Sequence, residues 1–444
     1  MSPEQNIMGT MPMRKLVLHM SWPIMLSMLM QAVYNLVDSI FVARISDEAF
    51  LALSYAYPIQ TLLIAFCVGT GVAFSATLSK RLGEKKMKDA ISVVIHGFIL
   101  FFCCWVLFLL FGLFGAKGYL ASCTDTLEVA KLGTTYLRIC CCLSIGICVQ
   151  FPIERILQAT GHPAGFMAVQ GTGALLNIIL DPIFIFGLDM GVAGAAIATV
   201  IGQICGAFLG IFLLTRIRKQ LPITFKGFRY ENRVVKEIGA IAIPAILMQS
   251  LASIMSLGLN AILRLWSETA VWVLGAYFKI QSFVFMPIFS VNNALIAIVS
   301  YNYGADKKKR AESAIHVGMG VALTTSTLGS ILLWLAASPL LTLCFDAGKA
   351  ALELGIPSLR YTALSFPIAA ISIILSAAFQ SLGFSRYSLI ISLLRFVILL
   401  LPVAYLFILS APAYVFLAFL ITELAATAFA LCLYHKVRRE TLTV

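Results

Sequence analysis

Seven polar side chains sit inside runs that are otherwise apolar. Gln31, Tyr34, Asn35 and Asp38 recur at three- and four-residue steps, so on a helix they form one stripe. Asn177 and Asp181 are four apart in a second run and again share a face. Thr199 lies in a third run, among Gly191, Gly194, Ala195, Ala198 and Gly202, a small-residue face along which helices approach closely. A carboxylate in hydrocarbon is costly unless it is paired, protonated or ligating. Two that lie close repel each other, and a proton or a cation relieves the repulsion. Two Asp, an Asn carbonyl and a Thr hydroxyl make an all-oxygen donor set, suited to Na⁺ or a proton and poor for zinc or copper. Asp38, Asn177, Asp181 and Thr199 are therefore the candidate cation site. A plainer reading stays open, in which Asp181-Pro182 ends a helix turn and Asp38 bonds Tyr34.

The elements that must position these groups follow from composition. The chain has 444 residues, 60% of them hydrophobic and 12% charged. A soluble fold of this size could not hide that much apolar surface. Apolar segments long enough to cross a bilayer, about 20 residues each, predict twelve transmembrane helices and an all-α integral membrane fold. Asp38 falls in the first, Asn177 and Asp181 in the fifth, and Thr199 in the sixth. Counted from the expected outer helix ends, all four lie about 7–15 Å deep in the outer half of the membrane. No segment alternates as a β-barrel strand would.

The net charge is +12, but the basic residues cluster in short loops between apolar runs, as at Lys80–Lys88, Arg216–Lys236 and Lys307–Arg310, with Arg155 in another. This is a topology signal and not a nucleic-acid surface. It places both termini in the cytoplasm and the protein in the plasma membrane. The 11 Cys lie mostly in apolar runs without zinc spacing and read as packing residues. No HExxH, Walker lysine or GxSxG is present, so neither an enzyme nor an ATP-driven pump is expected. Without a cofactor, energy must come from an ion gradient.

The chain also repeats itself. At one constant displacement Pro23 falls on Pro244, Leu53 on Leu274, Gln60 on Gln281, Ser79 on Ser300 and Gly83 on Gly304. One residue further, Gln158 falls on Gln380 and Gly161 on Gly383. Each half starts from the same side, so the repeats are parallel, and a cavity between two such halves suits alternating access. The expected division is an N-terminal six-helix lobe over 1–218, a cytoplasmic linker over 219–235 and a C-terminal six-helix lobe over 236–444. The symmetry fails where one ion site would break it. Asp38 falls on Leu259, and Asn177 and Asp181 fall on Leu399 and Val403.

The run from Pro23 through Gln31, Tyr34, Asn35 and Asp38 resembles the first helix of the multidrug and toxic compound extrusion (MATE) transporters. The segment Asn177 to Gly187, followed by Gly194 to Thr199, is similar to that family's fifth and sixth helices. Tyr301-Asn302-Tyr303-Gly304-Ala305 resembles its second-half loop. The likeness covers nearly the whole chain and points to the DinF- and MepA-like bacterial branch. It implies two lobes in a V, a central cavity, antiport of amphipathic organic cations, and an N-lobe cation site at Asp38, Asn177, Asp181 and Thr199. It also implies a helix bend at Pro23.

Other polar groups at membrane depth are Lys279, read as a buried cation that either gates or lines the cavity or bonds helix carbonyls, and Arg395 with Glu423, read as an interhelical ion pair, the rival being that Glu423 is a second protonatable site. Gln31, Tyr34, Asn35, Gln249 and Asn260 are candidate cavity residues. The expectation is a monomeric secondary exporter of small organic cations, working in the lipid bilayer on Na⁺ or H⁺. The alternative is a flippase for lipids or lipid-linked oligosaccharides.

Overall fold

The computed structural model describes residues 6–224, 228–345 and 347–442, with all helical side chains except those of residues 39, 43 and 47. The described residues form an all-α protein. Ten helices are long and apolar enough to cross a membrane, and two bent helix pairs bring the total to twelve if each pair is one span.

The α-helices of the described residues run, in order, α1 (Met13–Ala43), α2 (Asp47–Gly83), α3 (Met87–Leu110), the short α4 (Ala116–Cys123), α5 (Leu127–Cys142), α6 (Ile145–Ala159), α7 (Pro163–Pro182) and α8 (Gly191–Arg216). After the linker come α9 (Asn232–Arg264), α10 (Glu268–Gly304), α11 (Lys308–Pro339), α12 (Lys349–Ala363), α13 (Phe366–Ser381), α14 (Ser385–Leu393), α15 (Leu400–Ser410) and α16 (Leu417–Thr441).

The repeat read from side chains is present in the backbone. The Ser46 and Ser267 hydroxyls cap α2 and α10, accepting from the amides of Ala49 and Thr269. Lys85 and Asp306, in the loops that follow those two helices, both take left-handed φ, near 57° and 55°. Gly161 and Gly383 do the same at 84° and 89°, where an L side chain would be strained. The bent pairs are matched as well: α5 and α6 meet at 44°, α12 and α13 at 45°. At each bend a serine hydroxyl, Ser144 or Ser365, donates at 2.6 Å to a carbonyl of the preceding helix end, Cys141 or Thr362. Each serine thus adds a side-chain donor to a carbonyl at the helix break that already accepts from a backbone amide.

The chain divides into two compact units. The first comprises Trp22–Ile246 with the N-terminal segment ending at Thr10, and the second comprises Met11–Ser21 with Leu247–Val444. The linker and the first turns of α9 therefore belong to the first unit, and the first turns of α1 to the second. Both helices change unit beside a proline, Pro23 in α1 and Pro244 in α9. In the first unit Arg81 pairs with Glu84 at 3.0 Å and with Glu237 at the start of α9. His96 of α3 accepts from the Glu231 amide at 2.9 Å, fixing the end of the linker. In the second unit Arg310 donates to the Met11 carbonyl at 2.9 Å.

Candidate cation site

The site is built on the seam between α7 and α8. Glycines set the spacing. A β-carbon at Gly202 would lie 2.6 Å from the Gly173 carbonyl oxygen, and one at Gly194 would lie 2.7 Å from the Phe184 carbonyl carbon. Both distances are shorter than any real contact, so the helices touch backbone to backbone only because side chains are absent there. That approach brings Thr199 beside Asn177. The Asn177 amide donates to Thr199 Oγ1 at 3.1 Å and to Asp181 Oδ1 at 3.2 Å.

Asn177 is 2% exposed and Asp181 fully buried. Asp181 does not end its helix. The chain continues past Pro182 in a wider turn, Ile183–Gly187, in which the Leu188 amide reaches back to the Ile183 carbonyl at 2.8 Å. Proline has no amide to give, and widening the turn is one way a helix absorbs that loss.

Helix α1 is registered against α7 at two levels. Gln170 donates to Gln31 Oε1 at 2.9 Å, and the Phe41 and Phe186 rings meet edge to face at 6.1 Å. Asp38 lies between these contacts on α1, as Asp181 does on α7. The Asp38 charge acts on Asp181, and both act on Tyr34. Three buried oxygens of the group have no hydrogen-bond partner among the described residues: Asp38 Oδ1, Asn177 Oδ1 and Asp181 Oδ2. Buried acceptors are normally satisfied. These three, with the Thr199 hydroxyl beside Asn177, are acceptors short of positive charge or donors. A proton or a small monovalent cation would supply what is lacking.

The remaining expected residues fall elsewhere. Gln31 is engaged with Gln170, and Tyr34 is half-buried beside the two aspartates. Asn35 and Gln249 are exposed, and Asn260 is half-buried. Helix α1 runs without interruption through Pro23, whose carbonyl accepts from the Ser27 hydroxyl at 2.9 Å. Arg395 sits in a second widened turn, Leu394–Ile398, and grips Glu423 of α16 through three bonds of 2.6, 2.9 and 3.0 Å.

Two expectations are corrected. Lys279 is exposed and not buried, with its ammonium 5.9 Å from the centre of the Phe345 ring. The packing of α10 leaves Trp272, Gly275 and Lys279 on one open face. Arg155 is not in a loop. It lies within α6, 6% exposed, and donates to Gln158 Oε1 at 3.0 Å.

Beside Arg155 lies a further group of buried polar side chains. Gln150, Glu154 and Gln158 are all buried on α6. Their four-residue spacing is the same one-face signal that marked Asn177 and Asp181, and it was there to be found.

The chain is 27% identical over 417 residues to the multidrug export protein MepA of Staphylococcus aureus, covering 90% of this chain and 88% of that protein. It is 24% identical to the MepA of Staphylococcus saprophyticus, covering 86% and 85%. Its fold superposes on that of a MOP superfamily transporter from Pyrococcus furiosus with a TM-score of 0.92, at 24% identity, over 99% of this chain and 98% of the other. The sequence pattern of the MatE family matches residues 23–183 and again 244–406, so that each match opens on one of the two paired prolines. With both repeats covered, the chain belongs to the MatE family of multidrug and toxic compound extrusion transporters.

Proposed function

We propose that this protein is a secondary active multidrug exporter of the plasma membrane, with both termini in the cytoplasm. It exchanges amphipathic organic cations for Na⁺ or H⁺ by rocking of two lobes, and it acts as a monomer. The coupling ion binds at Asp38, Asn177, Asp181 and Thr199. The observation that carries this reading is the set of three partnerless buried oxygens on α1 and α7. Ion entry is worth about 2.3 kcal/mol per unit charge per 100 mV of membrane potential. It does work only if the ion binds the two access states with different affinity. The MepA relatives carry multidrug export in their names, which is the support for drug-like substrates. Gln31, Tyr34, Asn35, Lys279, Gln249 and Asn260 remain the residues proposed to meet the substrate.

The test is efflux of ethidium from proteoliposomes under an imposed Na⁺ or proton gradient. Asp38→Asn and Asp181→Asn are each expected to reduce gradient-driven efflux by roughly 5–150-fold, the range of ordinary coupling energies, while leaving ethidium exchange without a gradient intact. Full gradient-driven efflux in both variants would refute the assigned site. Vesicles that scramble a labelled phospholipid but do not move ethidium would favour a flippase.

A further inference from the structure

A buried carboxyl outside the aspartate site has no part in the scheme above. Glu154 is 1% exposed, on α6, between α2, α3, α7 and α8. Among the described residues its one hydrogen-bond partner is Gln150, whose Nε2 donates to Glu154 Oε1 at 2.8 Å. Gln150 is itself 6% exposed, and its Oε1 has no partner. A carboxamide with one arm on a carboxylate and the other unused is suited to two states. When the carboxylate is ionised, the N–H arm donates to it. When the carboxyl is protonated, a turn of the amide lets the orphan oxygen accept the new O–H.

The same carboxamide adjoins the glycine seam that leads to the aspartates. A β-carbon at Gly206 would lie 3.3 Å from Gln150 Oε1, and one at Gly173 would lie 4.0 Å from its Nε2. One turn further along, a β-carbon at Gly202 would meet the Gly173 carbonyl oxygen at 2.6 Å and lie 3.6 Å from the Asn177 backbone nitrogen. Glu154, Gln150 and Asn177 thus follow one another along a line where α7 and α8 offer little but backbone.

The charged surroundings favour a proton over a metal cation. The Arg155 charge acts on Glu154 and would repel a second cation. Otherwise the titratable groups facing this region are thiols, Cys67 of α2, Cys104 of α3 and Cys148 of α6. α7 has no charged residue before Asp181, and α8 has none before Arg216.

We propose that Glu154 is a second proton-binding site of the transport cycle, in series with the aspartate site and nearer the end of the first unit at which α7 begins. In uptake the O–H bond of the protonated aspartate carboxyl breaks as an O–H bond forms on the Glu154 carboxylate, leaving the aspartate ionised, and Gln150 turns to accept the new O–H. In release that bond breaks, the proton passes to water, and Gln150 donates again. The scheme rests on the coupling role given above to Asp38 and Asp181.

The experiment is the pH-difference infrared spectrum of the protein in lipid vesicles, which needs no substrate, followed by proton-driven ethidium efflux. A carbonyl band of a protonated carboxyl is expected in the wild type, lost in Glu154→Gln and retained in Asp38→Asn. Proton-driven efflux by Glu154→Gln should fall at least about fivefold. Gln150→Met, which removes the hydrogen bond, should shift the same band. It supplies the test if Glu154→Gln does not reach the membrane. A spectrum unchanged in both variants overturns the proposal, as does a lost band with undiminished efflux. If the band behaves as expected but Asp38→Asn and Asp181→Asn transport normally, the aspartate reading fails and not the assignment of a proton to Glu154.

Discussion

At the scale of single residues, the buried polar groups fall into two kinds. Arg395 and Glu423 satisfy each other with three hydrogen bonds. They hold α16 to the turn after α14 and leave nothing for a ligand. Removing one partner strands a buried charge, so Glu423→Gln is expected to destabilise the protein by about 3–5 kcal/mol. Replacing both, as Arg395→Met with Glu423→Leu, should recover most of that loss. Thermal unfolding in detergent measures both, and an equal loss in single and double variants would contradict the pairing account. The aspartate group is the opposite kind, with acceptors in excess. Its residue types and spacing were legible in the sequence, because a four-residue step puts two side chains on one face whatever the tertiary fold. What the sequence could not say is which oxygens stay unsatisfied, since that depends on the neighbour across the seam. Lys279 shows the same limit. Hydropathy registers a lysine in an apolar run but not which face of α10 the packing leaves open.

At the scale of elements, helix spacing decides the site. Gly202→Val would press a branched side chain into the Gly173 carbonyl and force α8 away from α7. We expect a loss of about 1–3 kcal/mol in stability and of gradient-driven ethidium efflux, as Thr199 separates from Asn177. Gly239→Ala in α9 is the control, since nothing lies within 4 Å of its added carbon. It should leave efflux unchanged and add about 0.5–1 kcal/mol of stability. Equal behaviour of the two variants would dismiss the role given to the seam. The span pattern was readable because length and apolarity alone decide whether a helix can cross. The bends within α5–α6 and α12–α13 are marked only by Ser144 and by Ser365 with Pro367, single residues that a straight membrane helix also tolerates. The second helix of the first pair runs on to Ala159, past the apolar stretch, so Glu154 and Arg155 lie buried inside it and not in a loop.

At the scale of the whole molecule, the duplication explains both the architecture and its exceptions. Matched caps, left-handed turns and bends recur in both halves, while the aspartate oxygens and Glu154 belong to the first alone. The orientation proposed above, with both termini in the cytoplasm, rests on the basic loops. A fluorescent protein fused to the C-terminus is expected to fluoresce in intact cells, and an alkaline phosphatase fused there to stay inactive. The reverse pair of results would invert the assigned direction of transport.

The exchange of opening turns between α1 and α9 bears on how the polypeptide matures. A ribosome that has delivered residues up to Ile246 has supplied all of the first unit, yet the stretch Met11–Ser21, among the earliest made, still lacks the unit it belongs to. Those eleven residues must stay unassembled until the later half has been inserted, so a transcript truncated after the linker yields a product with an exposed apolar end, a natural mark for quality-control proteolysis.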